Sequence, residues 1–147
     1  MRVKFIKAPD TWPIRHAVLR PNQTIEDCDY PNDRNPDCFH LGAYEGDKLI
    51  SIASFYAERN EKIVAWKQFR LRGMATLPEY AGNGVGERVM RFGMEHLHSN
   101  MVDVLWCNAR MSAEPFYTKM GFGAFEYTFE IEGIGPHKLL YYLFRGK

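Results

Sequence analysis

Charge of one sign is the first thing missing from this 147-residue chain: nineteen Lys and Arg stand against eighteen Asp and Glu. A nucleic-acid surface normally shows as a basic excess or stripe, so no nucleic-acid partner is expected. No apolar run approaches the ~20 residues of a membrane-spanning helix, and residues 1–5 read as the start of a strand rather than as a signal peptide. No membrane partner is expected either. Cysteine is scarce as well. Cys28, Cys38 and Cys107 have unmatched spacings that build no disulfide framework, and a cytoplasmic, reducing location is the default. Nine residues separate Cys28 from Cys38, too many for a zinc pair even with Asp37 and His40 close by, so no metal is expected.

Repeats, low-complexity tracts and linkers are absent too. With 46% hydrophobic residues the chain can bury a proper core, and a single domain over residues 1–147 is expected. Residues 21–37, rich in proline and acids, read as a long ordered loop beside the first helix.

Periodicity sets out the elements. Residues 3–7 read as a strand, and Thr11 is a candidate cap for a helix with Pro13 in its first turn, ending near residue 19. Residues 39–44 and 48–57 form a hairpin turned by Glu45-Gly46-Asp47. In the strand 65–76, Phe69, Leu71 and Ala75 share one face while Gln68, Arg70 and Arg72 share the other. A helix follows, with Val85, Val89, Phe92 and Leu97 as its apolar stripe and Glu87, Arg91 and Glu95 as an i,i+4 charge ladder. Residues 102–108 suit a strand covered on both faces. Ser112 is a candidate cap for a short helix that Gly121 ends, with Phe122 folding back. Phe125, Tyr127, Phe129 and Ile131 alternate with polar residues as a half-buried strand, and 138–144 closes the sheet. Antiparallel and parallel pairs in one sheet between helices make an α/β three-layer arrangement.

The junction between strand 65–76 and the next helix carries the clearest chemistry. Gly82, Gly84 and Gly86 stand on alternate positions just before a helix, where free N–H groups and the helix dipole favour an anion. Glycine lets the backbone approach phosphate oxygens without a Cβ in the way. A nucleoside triphosphate loop needs Gly-Lys-Ser/Thr, but Gly86 is followed by Glu87 and Arg88. A dinucleotide loop reads G-x-G-x-x-G at the start of a βαβ unit, and this one is G-x-G-x-G past the middle of the chain. A different pyrophosphate ligand is implied.

Asn83-Gly84-Val85-Gly86, with Met74-Ala75-Thr76-Leu77-Pro78-Glu79-Tyr80 before it, resembles the acyl-coenzyme A loop of the GNAT superfamily of N-acetyltransferases. In the pattern Arg/Gln-x-x-Gly-x-Gly/Ala, Ala81 takes the place of the long polar residue. Val102 to Arg110 and the Phe116-Tyr117-Thr118-Lys119-Met120-Gly121-Phe122 core resemble the family's next strand and helix. Phe39-His40-Leu41-Gly42 and Gly133-Ile134-Gly135-Pro136-His137 are similar to the ElaA-like branch.

The resemblance implies a single-domain GNAT-like fold with a mixed, mostly antiparallel central sheet and helices on both faces. It implies an acetyl-CoA-dependent N-acetyltransferase acting by direct transfer on the primary amine of a small molecule or peptide, as a monomer or homodimer. Gly82, Asn83, Gly84, Val85 and Gly86 would hold the pyrophosphate; the backbone of Met74, Ala75 and Thr76, with Asn108, would hold the pantetheine arm. A main-chain N–H of the same strand would polarise the thioester oxygen. Tyr117, beside the sulfur, would protonate the leaving thiolate. His40 is the leading candidate for the base, weighed against a structural role on an apolar strand; Glu79 and Glu114 are further options. Cys107 is expected to be inert. Arg70, Arg72 and Arg110 either meet an acceptor's carboxylate or phosphate or form local ion pairs and caps. A non-catalytic acyl-CoA-binding sensor or scaffold with the same fold is the alternative reading, and a nucleotide-binding protein a weaker one.

Overall fold

The computed structural model describes residues 1–144, so residues 145–147 of the expected single domain lie outside the described part. Seven strands form one sheet: β1 (Arg2–Ile6), β2 (Phe39–Glu45), β3 (Lys48–Ala57), β4 (Gln68–Thr76), β5 (Val104–Arg110), β6 (Gly123–Ile131) and β7 (Gly135–Leu143). Their spatial order is β1-β2-β3-β4-β5-β7-β6. Every neighbouring pair is antiparallel except β4–β5, which is parallel. The expected fold class therefore stands. The last strand does not close the sheet at an edge, however: β7 lies between β5 and β6, and β6 is the edge strand.

Helices cover both faces. On one, α2 (Val85–Ser99) buries Val85, Val89, Met90, Met94 and Leu97 against Phe55, Phe69 and Leu71. Each such side chain contributes roughly 1.5–3 kcal/mol by leaving water. Gly93 is needed for this contact, since a Cβ there would lie 2.5 Å from the Phe55 ring. The short α3 (Glu114–Lys119) sits on the same face, with Tyr117 in the same core cluster. On the other face, α1 (Ala8–Ile14) packs Ile14 against Ile52 and Ala75.

Two helix starts differ from their sequence signals. α1 begins at Ala8, because the Asp10 carboxylate accepts the Lys7 N–H at 3.0 Å. Thr11 therefore lies inside the helix, its hydroxyl donating back to the Ala8 carbonyl at 2.6 Å. The chain then widens into a π-helical turn over Arg15–Leu19. Ser112 falls in a 3₁₀ turn over Met111–Ala113 and does not cap α3. The helix's end is as expected: Gly121 takes φ +100°, and the Phe122 N–H reaches back to the Tyr117 carbonyl at 3.0 Å.

Candidate active site

The sheet opens at its one parallel junction. β4 and β5 pair only at Gln68–Val104, Phe69–Leu105 and Arg70–Trp106. Beyond that point β4 stays with β3, and β5 stays with β7 through Arg110 and His137. The divergence leaves a cleft of about 650 Å³, whose walls include Met74, Asn108 and Tyr117. β4 is also bulged beside the opening. Ser54 faces Arg72 and Ile52 faces Ala75, so Gly73 and Met74 together oppose Ala53. Gly73 adopts φ +64°, a conformation glycine accepts without a Cβ penalty. The alternation of β4 hides this bulge in the sequence; the glycine was its one visible sign.

The glycine loop lies at the N-terminus of α2. Gly82 and Gly84 have φ +81° and +78°, and the space beyond each Cα is open. No side chain caps the helix at Gly84, and the first backbone bond of the loop–helix junction is Arg88 N–H to Gly84 O at 3.1 Å. The amides of Val85, Gly86 and Glu87 are thus available to an anion. Gly86 ties the loop to the cleft: a Cβ there would lie 3.1 Å from the Met74 methyl. Ala75, Thr76 and residues 82–86 are outside the lining of the cleft itself, with the loop beside it rather than within it.

The side chains on the cleft differ in their freedom. Asn108 is paired with Leu139 in the β5–β7 ladder, but its side chain has no hydrogen-bond partner among the described residues, which leaves its amide available. Tyr117 is only 7% exposed, and burial, reinforced by Cys107 nearby, pushes its phenol well above the usual value near 10. Burial likewise pushes the Cys107 thiol up to about 12. His137, on β7, holds the Gly135 carbonyl at 2.8 Å through Nδ1. A carbonyl can only accept, so Nδ1 carries the proton and Nε2 presents a lone pair with no partner among the described residues.

His40 is elsewhere. It is not among the residues lining the cleft but belongs to a buried network centred on Arg15, which is fully buried. Arg15 donates to Asp33 at 2.7 and 3.2 Å, to the Cys28 carbonyl at 2.8 Å and to Ser54 at 2.9 Å. Tyr56 donates to Asp33 at 2.5 Å. Ser54 Oγ, which accepts from Arg15, is also hydrogen-bonded to Nδ1 of His40 at 2.7 Å. Burial would raise the Asp33 carboxyl, but the bonds from Arg15 and Tyr56 outweigh it and hold it below the usual range. Burial pulls His40 down. The sequence offers a lone histidine on an apolar strand; nothing local says that its partners come from residues 15, 33 and 54. Glu79 and Glu114 are paired with Lys48 at 3.6 Å and Lys138 at 3.5 Å. Among the described residues no group of three or more His, Cys, Asp or Glu could hold a metal ion.

Comparison with known proteins agrees with this geometry. Residues 8–122 match the acetyltransferase (GNAT) family. The chain is 39% identical over 141 residues to the uncharacterized N-acetyltransferase YitI of Bacillus subtilis (strain 168), covering 96% of this chain and 95% of that protein. An aminoglycoside 6'-N-acetyltransferase complexed with coenzyme A superposes with a TM-score of 0.78 at 10% identity, over 100% of this chain and 99% of that one. Escherichia coli ElaA superposes with a TM-score of 0.73 at 17% identity, over 95% and 97% of the two chains; at such identities the likeness is one of fold. No helix among the described residues is long and apolar enough to cross a membrane. The chain belongs to the GNAT family and is an acetyl-CoA-dependent N-acetyltransferase.

Proposed function

We propose that the protein transfers the acetyl group directly to the primary amine of a small molecule or peptide, inside the gap between β4 and β5. The observation that carries this reading is the early end of the β4–β5 pairing, with Asn108 and Tyr117 on the walls of the opening. In this reading the amides of residues 82–86 hold the pyrophosphate. The pantetheine arm runs along Met74, Ala75 and Thr76, with the Asn108 amide across from it. The bulge at Gly73 turns a main-chain N–H toward the thioester oxygen, where charge develops as the amine adds.

The amine nitrogen attacks the carbonyl carbon, the C–S bond breaks, and the thiolate leaves. Tyr117 supplies the proton that the sulfur needs, and its elevated pKa keeps that proton in place at neutral pH. The proton lost by the acceptor nitrogen passes to Nε2 of His137, directly or through water, in the role the sequence suggested for His40. An acyl-enzyme on Cys107 is disfavoured, because a thiol with a pKa of about 12 is almost wholly protonated at neutral pH. A cytoplasmic setting fits three free cysteines, and either a monomer or a homodimer can carry a site contained in one chain.

The test is release of free thiol from acetyl-CoA in the presence of an amine panel. Amine-dependent thiol release supports the reading. Tight coenzyme A binding with no turnover across a broad panel would point instead to a non-catalytic sensor or scaffold.

A further inference from the structure

The cleft is lined by Arg20, Arg70, Arg72, Arg110 and His137, and by no Asp or Glu. Arg70 is matched by Glu58 at 3.1 Å. The other three arginines have no carboxylate partner among the described residues. Arg20 donates only to neutral groups, the Tyr30 phenol at 3.4 Å and Gln23 at 3.3 Å. Arg72 rests over the Tyr30 ring at 4.6 Å, and Arg20 lies 5.3 Å from the same ring. Arg15 also faces this ring, at 4.0 Å, but has Asp33 as its counter-charge. Two further cations are thus gathered at one aromatic side chain with no anion to hold them there. Burial, and then the nearby Arg70, lower the pKa of Arg72, as expected for a cation short of a counter-charge.

These groups are not placed for the donor's phosphates. Phe69 and Leu71 point into the core beneath α2, the helix that starts at the glycine loop, whereas Arg70 and Arg72 point to the opposite face, toward Trp106 and Tyr30. Asn108 and Arg110 alternate with Cys107 and Ala109, which belong to the α2-side core, so they share the arginines' face.

We propose that the acceptor is a small amine that also carries a carboxylate or phosphate, held by Arg72 and Arg20 beside Tyr30 while its amine reaches the thioester between Asn108 and Tyr117. Arginine suits this task because its planar fork meets either anion with two parallel N–H donors. A polycation, such as the aminoglycosides acetylated by one structural neighbour, would meet like charge instead. The proposal rests on acetyl transfer for its meaning but can be tested without turnover.

The test is calorimetric titration of the coenzyme A-loaded protein with matched amines: amino acids against their carboxamides, and phosphoethanolamine against ethanolamine. The two series separate carboxylate from phosphate. The anionic member of at least one pair should bind about tenfold more tightly or better, the worth of one charged hydrogen bond. Arg72→Gln and Arg20→Gln should bring that ratio toward one, Arg72→Lys should retain part of it, and coenzyme A affinity should not change in any of them. Equal binding within every pair, no binding of any anionic member, or a ratio that survives the double Gln variant would overturn the proposal. Anion-selective binding without thiol release from acetyl-CoA would instead sink the acetyl-transfer reading and leave the anion site standing.

Discussion

Arg70 and Trp106 are the last residues paired across the β4–β5 junction, and the Arg70 guanidinium lies 5.0 Å from the Trp106 ring centre. The Trp106 indole N–H donates to the Glu58 carbonyl at 2.9 Å, and the Glu58 carboxylate pairs with Arg70. One residue of β4, one of β5 and one just past β3 therefore fasten the point from which the two strands diverge. The opening is thus anchored at its vertex and free along its walls, where Asn108, Tyr117 and His137 stand.

Tyr117→Phe removes the proposed acid and little else, because the Tyr117 hydroxyl makes no hydrogen bond among the described residues and the ring's contact with Phe122 at 5.3 Å can be kept. Turnover should fall by about 10²–10⁴-fold, with coenzyme A affinity and thermal stability near wild type. Steady-state kinetics with calorimetry checks this; unchanged turnover would remove the phenol from the mechanism. Since Tyr117 titrates well above 10, wild-type activity should show no alkaline loss from this group up to pH 10.

The two histidines should separate cleanly. His137→Gln should lower turnover by about 10²-fold or more while leaving coenzyme A affinity near wild type. His40→Gln should keep turnover and instead lose roughly 1 kcal/mol of stability with its bond to Ser54. If turnover fell in the His40 variant alone, the assignment of the proton acceptor would be reversed.

Asp33→Asn leaves Arg15 buried without its carboxylate and should destabilise the fold by about 3–5 kcal/mol, read from urea midpoints. The pH dependence follows from the same network. His40 and Asp33 are both held below their ordinary values, so the unfolded chain binds more protons than the folded one. Stability tied to His40 should be complete above about pH 6.5 and lost as pH falls through its lower folded value. That tied to Asp33 should follow as pH falls below about 3.9. A midpoint that stayed flat from pH 7 to 5 in the wild type would contradict the His40 part.

Gly84→Val tests the phosphate loop. A β-branched residue at φ +78° is strained by roughly 1–2 kcal/mol, and its side chain would enter the open space beside the α2 amides. Coenzyme A should bind at least about tenfold more weakly. Gly46→Val, at φ +61° in the β2–β3 turn, carries a similar strain and should leave that affinity unchanged. Equal affinities in the two variants would detach the loop from donor binding.

Much of the architecture could be read from residue patterns, because it rests on local periodicity. The Glu45-Gly46-Asp47 turn, the stripe of α2 and the Gly121–Phe122 helix end all write their geometry into neighbouring residues. Thr11 and Ser112 misled because the helices begin elsewhere: α1 starts earlier, at Ala8, with Asp10 holding the Lys7 N–H, and a 3₁₀ turn takes up Ser112. Tyr117 and Asn108 stood out through family resemblance rather than chemistry, since a buried tyrosine and a strand-end asparagine are common. The roles of His40 and His137 are long-range matters. One faces Ser54 across a strand pair, the other opposes Arg110 on β5, and neither relation leaves a mark within a few residues of the histidine.

The most direct test of the account is a crystal structure with coenzyme A bound. The diphosphate should sit on the amides of residues 82–86, the pantetheine arm should lie between β4 and β5 beside Asn108, and the thiol should come within about 3.5 Å of the Tyr117 hydroxyl. A cofactor bound away from the β4–β5 gap, or a sulfur remote from that phenol, would contradict it.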